Sequence, residues 1–338
     1  MNYEQAVRSI WSHTETAPSG EVARMKELVR YATLAPSGHN TQPWRFRIEA
    51  HSIAILPDLS RRTPVVDPDD HHLFVSLGCA AENLLQAARA LGFVGTAEFR
   101  PEPSGIIAVA LERSKAEESP LFKALPDRQC TRTEYDGTPL DSTALRLLEA
   151  AGTGHGVSVL LLTERAAMET VLEYVVQGNT MQMNNPAFVR ELERWIRFGD
   201  AEAVRTGDGV TARSTGSPPA PRWLGRLLFR ALFRVRPEND KYARQIRSSA
   251  GIAVFLSNVD DKAHWVEAGR CYERFALQAT ALGIRNAFVN QPVEEAPVRP
   301  KLARALGLGD RRPDLVVRFG RGRTMPRSLR RPLDSVLM

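Results

Sequence analysis

Two stretches of this chain collect side chains that could bind a ligand or do chemistry. The first is Ala35-Pro36-Ser37-Gly38-His39-Asn40-Thr41-Gln42-Pro43-Trp44-Arg45-Phe46. It sets five short polar groups between two prolines and then turns into Trp44 and Phe46. Pro36 and Pro43 push Ala35 and Gln42 out of helical geometry, and Gly38 permits a positive φ. A loop this stiff and this rich in hydrogen-bonding groups suits a flat polar ligand. It equally suits a helix end whose side chains cap loose backbone groups. The second stretch is Asp127-Arg128-Gln129-Cys130-Thr131-Arg132-Thr133-Glu134. Two guanidinium forks four residues apart, with small polar residues between, suit a phosphate. The competing reading is a pair of salt bridges to Asp127 and Glu134. A third candidate, Asp67-Pro68-Asp69-Asp70-His71-His72, has metal-ligand residue types but poor spacing. Adjacent histidines on a helix diverge by about 100°, so capping of the following helix is the expected role.

Composition narrows the classes. The chain has 338 residues, 43% hydrophobic, enough for a sizeable core. No uninterrupted apolar run approaches the roughly 18 residues of a membrane span, so no transmembrane segment is expected, nor a leader peptide within Met1 to His13. Cys79, Cys130 and Cys271 form no C-x-x-C pair, which fits a reducing cytoplasm with neither disulfides nor a metal site. Net charge is +6 and the pI is near 9.5, a first hint of nucleic acid. The charge is nearly all arginine, however, spread along the whole chain without aromatic interleaving. It reads as residue usage, and no specific nucleic-acid partner is expected. No G-x-S-x-G is present and the histidines are scattered, so hydrolytic triad chemistry is not expected.

The elements that must position these groups follow from periodicity. Gly20 to Thr33 reads as a helix that Ser19 could cap, and Trp44 to Leu56 as two short strands. Phe74 to Leu91 is a long alanine-rich helix closed by Gly92, followed by a strand at Ile106 to Leu111. That pattern recurs at a constant spacing of 191 residues: Phe74 with Trp265, Gly78 with Gly269, Glu82 with Glu273, Gly92 with Gly283. The first helix has its counterpart at Leu145 to Ala151, and the strands theirs at Val157 to Leu162 and Leu315 to Phe319. We read two homologous halves, 1–115 and 120–338, forming one α+β body like a symmetric dimer fused into one chain. The chain is expected to act as a monomer, an internal pseudo-dimer. The second half carries an insertion, 165–245. It holds helices at Ala166 to Gly178 and Pro186 to Phe198, and a Gly/Ser/Thr/Pro-rich stretch from Thr206 to Arg222 that reads as a flexible link. A basic amphipathic helix begins at Arg222; a docked helix or a lid over a site is expected in preference to a rest on an anionic membrane surface, since a packed core needs such helices routinely.

The polar loop resembles the A-P-S-x-x-N-x-Q-P-W-x-F signature of the nitroreductase family of FMN flavoproteins. Arg128-x-Cys130-x-Arg132 is similar to that family's phosphate motif, with cysteine in place of serine. Asn290-Gln291-Pro292-Val293-Glu294 resembles its loop beside flavin N5, where Glu295 replaces a frequent glycine. Pro326-Arg327-Ser328-Leu329-Arg330 resembles its C-terminal basic pair. The order of motifs resembles the Acg branch, single-chain fused members of the family. The resemblance implies a nitroreductase-like fold, central antiparallel sheets flanked by helices, with one FMN per chain. Ser37, Gly38, His39 and Asn40 of the first half would reach the flavin. The second half would supply Arg128, Cys130, Arg132, the stretch Asn290, Gln291, Pro292, Val293 and Glu294, and Arg327 or Arg330. It implies an oxidoreductase taking hydride from NAD(P)H and passing electrons to a quinone or nitroaromatic, with no catalytic side chain required. The alternative it leaves is a flavin-sequestering or storage protein whose insertion covers the cofactor.

Overall fold

The computed structural model describes residues 1–14, 20–101 and 104–338; Ser19, the expected cap, lies outside them. The first half runs α1 (Tyr3–Ile10), α2 (Glu21–Thr33), β1 (Trp44–Ile48), β2 (Ser52–Pro57), α3 (His71–Ala90), β3 (Phe93–Arg100) and β4 (Ile106–Arg113). Then come α4 (Pro120–Ala124), α5 (Ser142–Ala151) and β5 (Val157–Leu162). The insertion contributes α6 (Arg165–Asn184), α7 (Pro186–Trp195), β6 (Ile196–Arg197), α8 (Asp200–Thr206), β7 (Val210–Thr211), α9 (Arg222–Leu232) and α10 (Val235–Arg247). The chain closes with β8 (Gly251–Ser257), α11 (Lys262–Ala281), β9 (Arg285–Phe288), α12 (Gln291–Glu294), α13 (Arg299–Ala305) and β10 (Arg312–Gly320).

The result is an α+β body with two four-stranded antiparallel sheets, ordered β1-β2-β4-β3 and β5-β8-β10-β9. Taken in chain order within its own sheet, each set of four strands has the same arrangement, first-second-fourth-third, with a long helix between the second and third strands. The two long helices, α3 and α11, cross at the centre. A Cβ on Gly78 would overlap the carbonyl oxygen of Val266, and a Cβ on Gly269 would overlap that of Val75. The contact is reciprocal, between pairs 191 residues apart. Only glycine lets the two backbones approach this closely. Around the crossing one apolar core spans both sheets, with Trp44, Phe46, Phe255, Phe275 and Phe319 fully buried.

The α3 N-terminus shows what the Asp67–His72 run does. Asp67 accepts from the backbone N–H groups of His72 and Leu73, both at 2.9 Å, so it caps the helix as expected. His71 instead reaches into the second half, with Nε2 at 2.9 Å from Asp314 Oδ1. Burial pushes the Asp314 carboxyl up to about 7 from its ordinary 3.8 and holds His71 well below the usual histidine value. The folded chain therefore keeps this proton to a higher pH than the unfolded chain does. The contribution of Asp314 to stability is full below pH 3.8 and falls as pH rises towards 7, while that of His71, held neutral by burial, has the opposite sign and is lost on acidification. Asp314→Asn is expected to flatten this part of the urea-midpoint-against-pH curve; an unchanged slope would assign the dependence elsewhere.

The C-terminal tail leaves the second half and joins the first. Phe46 N–H donates to Val336 O at 2.8 Å and Met338 N–H to Phe46 O at 3.0 Å, so the tail extends the β1 edge. That passage carries Arg327 and Arg330 across the polar loop.

One expectation needs correcting. The stretch from Thr206 to Arg222 is a built segment in which β7 pairs with β6 and Asp208, Thr211 and Ser214 are buried. Gly207 and Gly209 serve close approach rather than freedom. Gly207 has φ 64°, and a Cβ there would sit 2.5 Å from Arg330 O. Asp208 is held by Arg61 and Arg197.

Candidate functional site

The polar loop is a short 3-10 turn, Gly38–Asn40, carrying unusual backbone. The left-handed φ expected at Gly38 falls instead on His39 (48°), Asn40 (54°) and Gln42 (54°). Such angles cost non-glycine residues of order 1 kcal/mol or more each and persist where the surroundings over-determine them. The surroundings here are the insertion and the C-terminal tail. Asn40 donates its amide to Gly209 O at 3.0 Å and Leu329 O at 3.1 Å. Gln42 donates to Gly207 O at 2.8 Å. Ser37 Oγ accepts from the backbone N–H of Gln42.

The arginine motif is placed by the second sheet. Thr131 N–H donates to Asn286 O of β9. The buried Arg318 donates to Thr131 O at 3.1 Å and Thr133 O at 2.8 Å. Its burial is compensated by those carbonyls and by the Tyr135 ring, 4.2 Å below it.

These elements meet at one cavity of about 60 Å³. Ser37 and Asn40 line it from the first half; Arg128, Cys130, Arg132, Arg327 and Arg330 line it from the second; Gly209 and Ser214 line it from the insertion. Among the described residues no carboxylate lines it. Four arginines facing one small space with no acid among them is an anion site in electrostatic terms.

The four guanidiniums are not equivalent. Arg128 is buried: its Nε lies 3.0 Å from Glu273 Oε1, and its Nη2 donates to Leu34 O at 2.7 Å. Arg128 is desolvated, yet Glu273 holds its guanidinium above the ordinary value. Burial pushes the Glu273 carboxyl up to about 7, with Arg128 pulling it back. Arg330 spends Nε on Thr33 O and Nη2 on Leu34 O and Ala35 O, the orphan carbonyls at the end of α2. Desolvation, with Arg128 beside it, lowers it to about 9. Arg327 pairs through Nη2 with Asp127 at 2.9 Å and leaves Nη1 buried without a partner. Arg132 makes one long contact, Nη1 to Ser214 O at 3.5 Å. Arg132 and Arg327 thus keep free donors for a ligand, while Arg128 and Arg330 build the wall. The salt-bridge reading of the motif fails for Arg128, whose partner is Glu273 rather than Asp127.

His39 and the Asn290–Glu294 stretch lie outside this lining. His39 Nδ1 is buried without a partner, and burial, with Arg132 and His72 nearby, lowers its pKa to about 4. Asn290 Oδ1 accepts from Val316 N–H, and Glu294 accepts from Gln182 at 2.7 Å. Gln291 Oε1 is buried without a hydrogen-bond partner, and Pro292 and Val293 are buried. A Cβ on Gly38 would meet nothing within 4 Å.

Sequence reasoning missed Trp11. Its ring underlies three of the four arginines, with Arg330, Arg327 and Arg128 at 4.7, 5.1 and 6.0 Å from the ring centroid. A lone aromatic near the N-terminus gives no spacing signal. Gln129, which holds Met325 through both its amide atoms, and Phe288 were missed for the same reason.

Fold and cavity define a class: an α+β protein with two matched antiparallel sheets and an anion-seeking cavity built from both parts of the chain. Comparison then gives it relatives. No family model matches the chain. It is homologous over nearly its whole length to Mycobacterium tuberculosis proteins. One is named "Putative NAD(P)H nitroreductase Rv3131", 26% identical over 334 residues, covering 95% of this chain and 92% of that one. Another is named "Putative NAD(P)H nitroreductase acg", 24% identical over 328 residues, covering 92% and 94%. The resemblance first drawn from the loop and the arginine motif therefore extends along the chain. Among solved structures, an FMN-bound nitroreductase from Desulfitobacterium hafniense is 11% identical with a TM-score of 0.41, covering 65% of this chain and 98% of that one.

Proposed function

We propose that the cavity holds the phosphate of FMN and that the protein is an FMN-dependent NAD(P)H oxidoreductase. The observation that carries the proposal is the lining itself: four arginines, two with free donors, and no carboxylate among the described residues. The donor set fits a phosphate, and a space of about 60 Å³ takes a small anion rather than a three-ring flavin. Arg132 and Arg327 would hold the phosphate, with Cys130 between. Ser37 to Asn40 and the Asn290–Glu294 stretch would flank the ring beyond the cavity, where His39 Nδ1 and Gln291 Oε1 have free capacity. When bound, the cofactor supplies hydride chemistry between NAD(P)H and an acceptor such as a quinone or nitroaromatic. The chain's own part is to bind, orient and exclude water. His39, neutral at physiological pH, adds no charge beside the ring.

The same reading takes the chain as a fused pseudo-dimer with one flavin. Matched sheet orders and the reciprocal glycine crossing support it. So does the site's mirror: Glu82, the counterpart of Glu273, is taken by Arg274 at 2.9 Å and Arg270 at 3.4 Å, with Glu267 on both. Carboxylates there oppose a second anion.

One observation favours the storage reading. Gly209 and Ser214 of the insertion line the cavity, and the Asn40 amide is spent on the insertion and the tail. A ring in the mouth would need that segment to yield. Anaerobic NADPH separates the two readings: bleaching of the flavin band supports the oxidoreductase, and an unbleached flavin supports storage.

Arg132→Ala with Arg327→Ala tests the site. Two charge-assisted bonds at about 1.5–3 kcal/mol each predict FMN binding weaker by at least about a hundredfold, read by quenching of flavin fluorescence. Neither residue is deeply buried, so the melting temperature should hold. Unchanged affinity would place the phosphate elsewhere.

A further inference from the structure

The helix α9 is docked the wrong way round for an ordinary surface helix. Such a helix turns its apolar stripe to the core and its charges to water. Here the contact strip is narrow. Gly225 is the buried residue, set against Phe198, and Phe229 joins it, 6.3 Å from the Phe198 ring. Arginines fill one flank: Arg226 and Arg230 share Glu193, and Arg222 pairs with Glu202. At 100° per residue, Trp223 and Leu227 point away from Gly225. They are 71% and 60% exposed, and Leu228 and Leu232, on the flank leading back towards Gly225, are 44% and 69% exposed. Large apolar residues thus face solvent over about half the helix circumference.

Charge decides the occupant. From Asp208 to Glu238 the chain has no carboxylate, and Arg222, Arg226, Arg230, Arg234 and Arg236 follow one another. Set against Glu193 and Glu202, they leave an excess of positive charge. A second copy of this chain would bring arginine row against arginine row. An anionic bilayer meets both demands, since its headgroups take the arginines and its acyl boundary takes Trp223 and the leucines. No described helix is long and apolar enough to cross a membrane, so the contact is interfacial. We propose that α9 docks the protein on an anionic lipid surface, with Trp223 and Leu227 inserted and the arginine flank at headgroup level. The proposal does not depend on the cofactor reading, because no residue of α9 lines the cavity.

Sedimentation of the full chain with vesicles tests it. Wild type should sediment with equal parts phosphatidylcholine and phosphatidylglycerol but not with phosphatidylcholine alone, and its tryptophan emission should shift to the blue. Trp223→Ser with Leu227→Ser should weaken binding at least about tenfold while leaving the melting temperature unchanged, since both side chains are exposed. Absence of binding would overturn the proposal. So would binding unchanged in the double variant, which would be charge attraction alone. A concentration-dependent dimer abolished by the double variant, without vesicle binding, would give the face to a second copy.

Discussion

Arg128→Ala is expected to cost about 3–5 kcal/mol of folding stability, a large part of a typical domain's total. The substitution removes the ion-pair partner of the fully buried Glu273, leaving it only the more distant charge of Arg330, and leaves the Leu34 carbonyl to Arg330 alone. A residue whose type suggests a ligand contact is thus first a structural one. The expected signature is a urea midpoint that drops at neutral pH and recovers in part when Glu273→Gln is added. Acidification should restore stability too, because without Arg128 to pull it back the buried Glu273 carboxyl takes up its proton more readily than in the wild type. A melting curve like wild type, with FMN binding lost, would instead make Arg128 a ligand contact alone.

The second large effect lies at the α3–α11 crossing. Gly78→Ala and Gly269→Ala each place a Cβ into the carbonyl of the facing helix. A backbone atom cannot swing aside as a side chain can, so the helices must separate. Overpacking of this kind costs about 3 kcal/mol or more, against roughly 1 kcal/mol gained from better helix propensity. Net destabilisation in denaturant titrations is expected for both, of similar size if the two positions are equivalent. Gly38→Ala, with open space around it, is the control and should change little. A neutral Gly78→Ala would mean that the crossing is looser than its geometry.

How much could be read beforehand depended on whether a residue's role was local. The polar loop and the Arg128–Arg132 motif were legible because residue type and spacing carried them, and the long helices because their stripes persist over five turns. Strand β3 went unplaced because, although its burial alternates from Phe93 to Arg100, two of its inward positions are the small Gly95 and Ala97, which give little hydrophobic signal. The uniformly buried β8 shows no alternation at all. The stretch after Thr206 looked like a linker because glycine signals both freedom and close approach, and only the facing Arg330 backbone tells which. Arg330 itself looked like a phosphate ligand. Which donors remain free is set by the α2 carbonyls, which lie almost 300 positions away in sequence. Trp11 has no local signature at all; it matters because three arginines come from elsewhere to stack on it.

The central claim is that one flavin phosphate sits among Arg128, Arg132, Arg327 and Arg330, beside a loop from the other half. Titration of the purified full chain with FMN, following flavin fluorescence and visible absorbance together, tests it most directly. The account predicts quenching that saturates at one FMN per chain and is lost in Arg132→Ala with Arg327→Ala. A colourless protein that leaves FMN fluorescence unquenched, or saturation at two per chain, would contradict it.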